Sequence, residues 1–347
     1  MEFKKNIPLK TILKEVVNRL KDKLKNTSNI LILSHYHPDG DAVGAVLSMS
    51  RFFRKMGYKV SAVLPDSSPA YLKWMKGVED ILIFEKEPEL IEHKFSEADL
   101  IFALDFNDPS RLKGMEKWYE RSGAMKVLID HHPEPKKFSD IIISDTSVSS
   151  ACELLYEFMK SVGGADIIDK EIATSLFVGI LTDTGCFSFN SSDPETYARV
   201  AELLGYGINK DEIFNLVYDN YSDNRMRLLG YVLKEKMEVI AEYNTAFISL
   251  TMDELKRYSF VMGDTEGFVN YPLSIKGIRF SALFIEKPDH VKISFRSKGT
   301  FPTNLFSKRH FNGGGHLNAS GGELYANMEE TLRLFRSLLP GYVKELK

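Results

Sequence analysis

A chain of 347 residues exceeds the roughly 250–300 at which a single core stops growing, so two domains are expected. With 44% hydrophobic and 27% charged residues, it has the composition of a folded, water-soluble protein and not of a disordered chain. A formal net charge of −3 argues against a protein that coats long duplex nucleic acid, which needs many cations on phosphates, but leaves short phosphorylated substrates open.

The N-terminal stretch MEFKKNIPLKTILKEVVNRLKDKLKN has a Lys-rich amphipathic helix pattern without the apolar core and cleavage site of a signal peptide. No stretch approaches the ~18 consecutive apolar residues of a membrane span, so a cytoplasmic location and no membrane partner are expected. Short apolar runs then alternate with helical patterns: ILILS at 30–34, a helix over 42–56, KVSAVL at 59–64, DLIFALD at 99–105, KVLID at 126–130, III at 141–143, and helices over 149–161 and 168–181. This βαβ grammar predicts an α/β domain over 1–205, its mainly parallel sheet buried between helices. Segment 206–236 reads as a helical linker. From 237 onward the runs MEVIAEY, TAFISL, IRFSALFIE and HVKISFRSK read as strands, the last two joined by a Lys287-Pro288-Asp289 turn, and a helix over 327–346 is interrupted near Pro340-Gly341. A smaller α+β domain over 237–347 follows.

In parallel sheets ligands bind beyond the carboxyl ends of the strands, and the chemistry-bearing residues gather there. Ser34-His35-Tyr36-His37-Pro38-Asp39-Gly40-Asp41 sits where a buried strand gives way to a helix. Two carboxylates in one turn repel each other unless a pKa rises or a cation intervenes; a solvated Pro-Asp-Gly turn with an N-capping Asp is the plainer alternative. Asp105 ends LIFALD, Asp130-His131-His132 ends KVLID, and Asp183 follows the apolar SLFVGIL, where an acid opposes the helix dipole. Five of the eight histidines fall in these motifs and in a later glycine-rich one. Cys152 and Cys186 are too few for a disulfide framework and form no CxxC motif, so any metal must use His and carboxylates. That donor set suits Mn²⁺, with Zn²⁺, Fe²⁺ or Co²⁺ next and Mg²⁺ less favoured. Six candidate ligands exceed the need of one ion and point to a pair that activates water against a phosphate ester.

These motifs give the chain a resemblance to the DHH phosphoesterase superfamily: His35-x3-Asp39-x-Asp41, Asp105, Asp130-His131-His132 and Asp183 follow in the family's order. Arg296-Ser297 and Gly313-Gly314-Gly315-His316 resemble the DHH-associated C-terminal domain. The resemblance implies that His35 and Asp39 hold one metal and Asp41, His131 and Asp183 the other, with Asp105 bridging. It also implies that His132 faces the substrate phosphate with Asp130 behind it. His37 lies at a variable position of the motif and reads as a partly exposed histidine. Gly44-Ala45 and Asn318-Ala319-Ser320 depart slightly from the family pattern.

Between His290 and Gly322 there is no Asp or Glu, while Lys292, Arg296, Lys298, Lys308 and Arg309 fall inside that window. With the glycines of 313–315 and His316, this is a candidate clamp for a phosphate or 5′-nucleotide end. Phe295, Phe301, Phe306 and Phe311 interleave with these cations; one could stack a base, but most read as core. An interdomain cleft would favour short substrates. The expected function is hydrolysis of short RNA, dinucleotides and 3′-phosphoadenosine 5′-phosphate (pAp), resembling the compact oligoribonuclease and pAp phosphatase branch. An exopolyphosphatase or pyrophosphatase, a cyclic-dinucleotide phosphodiesterase, and a nucleotide-binding module without turnover are the alternatives. A homodimer is left open. No G-x-G-x-x-G follows the first strand, which disfavours a dinucleotide-binding dehydrogenase.

Overall fold

The computed structural model describes residues 9–346; residues 1–8 of the expected N-terminal helix lie outside the described residues. The chain forms two compact units that divide between Asn220 and Tyr221, inside the segment read as a linker.

In the first unit the chain runs α1 (Leu9–Lys25), β1 (Asn29–Leu33), α2 (Gly40–Lys55), β2 (Lys59–Leu64), β3 (Leu82–Ile83), α3 (Pro88–Glu97) and β4 (Leu100–Leu104). It continues through α4 (Glu116–Arg121), β5 (Met125–Asp130), β6 (Ile141–Ser144), α5 (Ala151–Ser161), α6 (Lys170–Asp183), α7 (Pro194–Leu204) and α8 (Lys210–Tyr218). The six strands form one sheet in the order β3-β2-β1-β4-β5-β6, with every neighbouring pair parallel. Parallel strands carry apolar side chains on both faces, and the alternation is visible residue by residue. Ile30, Ile32, Phe102, Leu104, Val127 and Ile129 enter the core under α1, α2, α5 and α6. Leu31, Leu33, Ile101, Ala103 and Leu128 enter the core under α3 and α4. Phe102 is fully buried, and truncating it to Ala would cost about 3–5 kcal/mol. The chain builds outward from β1 in one direction, then restarts at β4 on its other side, so the carboxyl ends of β1 and β4 flank the topological switch point.

Helix α2 and helix α6 approach at backbone contact. A Cβ on Gly44 would lie 2.4 Å from the Ser175 carbonyl oxygen, and one on Gly40 would lie 2.2 Å from Thr182 Oγ1. On Gly179 it would meet Cys152 Sγ at 2.3 Å and Asp41 Oδ1 at 2.6 Å. A side chain at Gly40 or Gly44 would push α2 away from α6, and one at Gly179 would displace Cys152 of α5 and the Asp41 carboxylate.

The second unit comprises α9 (Asp223–Tyr231), β7 (Met237–Ile240), β8 (Thr245–Leu250), α10 (Met252–Arg257), β9 (Phe280–Glu286) and β10 (Val291–Ser297). It closes with α11 (Thr303–His310), β11 (Gly314–Gly315), β12 (Ala319–Leu324) and α12 (Met328–Leu338), the last followed by a 3₁₀ turn over Leu339–Tyr342 that contains Pro340 and Gly341. Its sheet order is β11-β12-β10-β9-β8-β7, antiparallel except for β8 beside β9. Phe295, Phe301, Phe306 and Phe311 are all buried and join Phe247, Phe280, Phe284 and Phe335 in one core. They are core residues, and none offers an open face to a base. Strands β11 and β12, rich in Gly and Ser, carry little of the apolar alternation that marks a strand.

Candidate metal centre

The sequence-predicted ligands of the first unit converge at the carboxyl edge of its sheet. Ser34, buried just after β1, donates its hydroxyl to the Leu104 carbonyl at 2.7 Å and ties the β1 and β4 ends together. His35 follows, with Nδ1 2.9 Å from the Tyr36 carbonyl oxygen. Its Nε2 lies 3.4 Å from Asp105 Oδ2. Asp39 is the N-cap of α2; its Oδ1 accepts the N–H groups of Asp41 at 3.0 Å and Ala42 at 3.1 Å. The capping role and a ligand role are compatible, because Oδ2 remains.

Asp105 adopts the left-handed conformation at φ +63°, which short polar side chains tolerate better than most. Asp105 is 1% exposed and its carboxylate faces three imidazoles: Oδ2 that of His35, and Oδ1 those of His131 at 3.5 Å and His132 at 3.7 Å. Oδ1 has no hydrogen-bond partner. His131 Nε2 lies 3.4 Å from Asp183 Oδ2 and 3.8 Å from Asp41 Oδ2. Two triads result, His35, Asp39 and Asp105, and Asp41, His131 and Asp183, each with one donor atom per residue and all three atoms within 4.8 Å of one another. Behind them Asp130, fully buried, holds His132 Nδ1 at 2.8 Å.

The electrostatics of this cluster are those of a site built around positive charge. Loss of water, reinforced by Asp105 and Asp183, pushes Asp41 well above the usual carboxylate range. Asp183 is pushed up to about 6 by loss of water, a rise that His131 opposes and that Asp39 and Asp105 reinforce. Burial pulls His131 down, but Asp183, Asp105 and Asp41 outweigh it and raise its pKa well above the ordinary imidazole value. Burial would raise Asp105, yet the contacts with His131 and His35 hold it below the usual range. Buried carboxylates that resist ionising together, an orphaned Asp105 oxygen and a donor set of imidazole nitrogens and carboxylate oxygens all fit a pair of divalent cations.

Three supports were not anticipated from sequence. Asp41 accepts the N–H groups of Ala151 at 2.6 Å and Cys152 at 2.9 Å, so its carboxylate sits on the first turn of α5. Arg111 places Nη2 2.9 Å from His35 Nδ1. Asp66 holds His37 through its backbone N–H at 2.8 Å and Nδ1 at 3.1 Å, fixing a left-handed residue at φ +56° whose side chain is half exposed. None of these partners is near in sequence to the residue it supports. A helix-start pattern, Ser150-x-x-Glu153, lies where α5 begins and is a local signal that could have found it.

Residues 29–180 match the DHH family N-terminal domain, and residues 245–345 match the DHHA1 domain. The chain belongs to the DHH family. It is a phosphoesterase hydrolase of this metal-dependent family. This DHH phosphoesterase is 28% identical over 298 residues to the Bacillus subtilis bifunctional oligoribonuclease and PAP phosphatase NrnA, covering 86% of this chain and 90% of that one. It is 28% identical over 297 residues to NrnA of Thermus thermophilus, covering 85% and 84%. An exopolyphosphatase-related protein from Bacteroides fragilis, known as a crystal structure, is 41% identical with a TM-score of 0.92, covering 96% of this chain and 98% of that one.

The DHHA1 residues singled out from sequence occupy one corner of their own unit. Arg296 lies on β10 beside Ala319 of β12, with Nη1 donating to the Phe295 carbonyl at 2.9 Å. Ser297 is buried; its hydroxyl donates to the Phe301 carbonyl at 2.7 Å and accepts from Asn318 Nδ2 at 2.8 Å. The glycine run of the DHH phosphoesterase is a folded hairpin. A Cβ on Gly313 would lie 1.9 Å from both the Gly321 carbonyl oxygen and Ser307 Oγ, Gly315 has φ +136°, and Gly314 has open space. His316 closes the turn, its N–H donating to the Ala319 carbonyl at 2.7 Å. Among the described residues of the whole chain, no helix is long and apolar enough to cross a membrane.

Proposed function

We propose that this DHH phosphoesterase uses two Mn²⁺ ions to hydrolyse short oligoribonucleotides, linear dinucleotides and pAp. His35 and Asp39 would hold one ion, Asp41, His131 and Asp183 the other, and Asp105 both. The observation that carries this reading is the carboxylate of Asp105, whose two oxygens face the imidazoles of His35 and His131 at 3.4 Å and 3.5 Å. Bound there, a pair of divalent ions supplies a nucleophilic water at neutral pH and polarises the phosphoryl oxygens. Asp130 fixes the His132 ring through Nδ1, leaving Nε2 to contact a phosphoryl oxygen of the substrate. In the DHHA1 unit, Arg296 would grip a phosphate, and the glycine run 313–315, with His316 beside it, would let the phosphate approach the backbone closely. Ser297 contributes by holding β10 to the turn at Asn318. The substrate class draws on the two NrnA relatives, whose names specify oligoribonuclease and PAP phosphatase activity.

A second reading, polyphosphate hydrolysis at the same centre, is favoured by the Bacteroides fragilis relative, described as exopolyphosphatase-related. One assay separates the two: phosphate and mononucleotide release from pAp, di- to pentaribonucleotides, a cyclic dinucleotide and polyphosphate, with Mn²⁺, with Mg²⁺ and after chelation. Mn²⁺-dependent release that favours pAp and the shortest RNAs supports the first reading. Faster release from polyphosphate overturns it in favour of the second.

A further inference from the structure

The Asp41 carboxylate takes its hydrogen bonds from the backbone of α5, and what fixes that backbone is a buried polar network running from α7 to α5. Ser150 caps α5, its hydroxyl accepting the Glu153 N–H at 3.1 Å. The Glu153 carboxylate turns back over the helix start and accepts from the Ser149 N–H at 2.8 Å and the Ser149 hydroxyl at 2.6 Å. Glu153 is 1% exposed, so its charge requires a partner inside the protein. That partner comes from α7: Arg199 Nη1 donates to Glu153 Oε1 at 2.6 Å, and Thr196 Oγ1 donates to the same oxygen at 3.0 Å. Arg199 Nε also donates to Glu157 Oε1 at 2.9 Å, one turn further along α5. The first turn of α5 is thus fixed on the α7 side by an ion pair and a hydroxyl, and it presents the Ala151 and Cys152 N–H groups to Asp41 on the other.

We propose that Arg199, Glu153 and Thr196 are positioning residues for one half of the centre: through the first turn of α5 they set the orientation of the Asp41 carboxylate and so the affinity of the Asp41, His131 and Asp183 triad for its ion. The inference rests on the two-ion reading. The His35, Asp39 and Asp105 triad has no contact with this network among the hydrogen bonds of the described residues, so the two ions respond differently when it is cut. Partners that orient a ligand from behind typically change metal affinity about 10–100-fold.

The test is Mn²⁺ binding to the metal-free full chain, with the free ion counted by electron paramagnetic resonance. Asp41→Asn first identifies which of the two wild-type classes of site belongs to Asp41. Arg199→Met is expected to weaken that class about 10–100-fold and leave the other as in the wild type. Thr196→Val is expected to weaken the same class less, and Arg199→Lys to restore part of the affinity lost in Arg199→Met. If Arg199→Met does not fold, Thr196→Val decides by the same criterion. Unchanged affinities in a folded variant, or equal weakening of both classes, overturn the proposal. A wild-type chain that binds fewer than two ions instead removes the two-ion reading beneath it.

Discussion

The two units hold their chemistry by opposite means. In the first unit, charged side chains are buried together and aimed by helix ends, caps and a left-handed residue, so the site costs folding free energy until cations arrive. In the DHHA1 unit the candidate clamp is a glycine hairpin on a phenylalanine core, and its shape comes from backbone contacts that no side chain could share. The first arrangement is sensitive to charge and ions, the second to volume.

The largest expected effect tests the first half of that contrast. Asp105→Ala removes both oxygens between the triads and is expected to lower kcat at least ~10³-fold, with loss of bound metal by elemental analysis. Full activity in that variant would refute the shared-carboxylate assignment. Next, chelation is expected to lower the Tm by on the order of 5 °C near neutral pH, and the gap between loaded and chelated protein should widen from about pH 5 to about pH 8. Asp41 and Asp183 have raised pKa values in the metal-free fold. As pH rises from the ordinary carboxylate range through about 6, the unfolded chain has already released protons that the fold still holds, so metal-free stability falls. His131, also raised, contributes stability that is full below its unfolded pKa and is lost as pH climbs further. A gap that stays constant in calorimetry across this range would contradict the electrostatic account.

The DHHA1 half is tested by volume. Gly313→Ala places a methyl 1.9 Å from the Gly321 carbonyl oxygen and is expected to cost about 1–3 kcal/mol in urea unfolding. Arg296→Ala is expected to raise KM for pAp roughly tenfold with little change in kcat, the signature of lost phosphate binding. Gly314→Ala, with nothing within 4 Å of the new methyl, is expected to stay within about 0.5 kcal/mol of wild type. Equal effects at Gly313 and Gly314 would erase the distinction between a packed and an open glycine.

The parallel sheet was readable because β1, β4 and β5 each carry an apolar run that stops at a polar residue, and those stops are the site: Leu33 before Ser34-His35, Leu104 before Asp105, Ile129 before Asp130-His131. What stayed hidden needed partners far apart in the chain. Nothing local tells that Asp41 meets Ala151, 110 residues on, or that Arg199 reaches Glu153, 46 residues back. Strand β12 was hidden for another reason: Ala319-Ser320-Gly321-Gly322 lacks the apolar alternation, and its glycines answer to Phe311, Ser307 and Ile293 around them. The cations of 292–309 were visible as composition, but Lys298 spends its ammonium on the Leu273 carbonyl, which composition alone cannot reveal.

The glycine contacts between α2 and α6 have a consequence for how such an enzyme can change. Gly44 lets the α2 and α6 backbones touch and Gly40 seats the start of α2 against Thr182, so the spacing between the helix that carries Asp39 and Asp41 and the helix that carries Asp183 leaves no room for an added side chain. Substitutions away from this contact then leave the spacing of the two helices alone. A lineage could retune what it recognises while the reacting centre stays insulated from the drift.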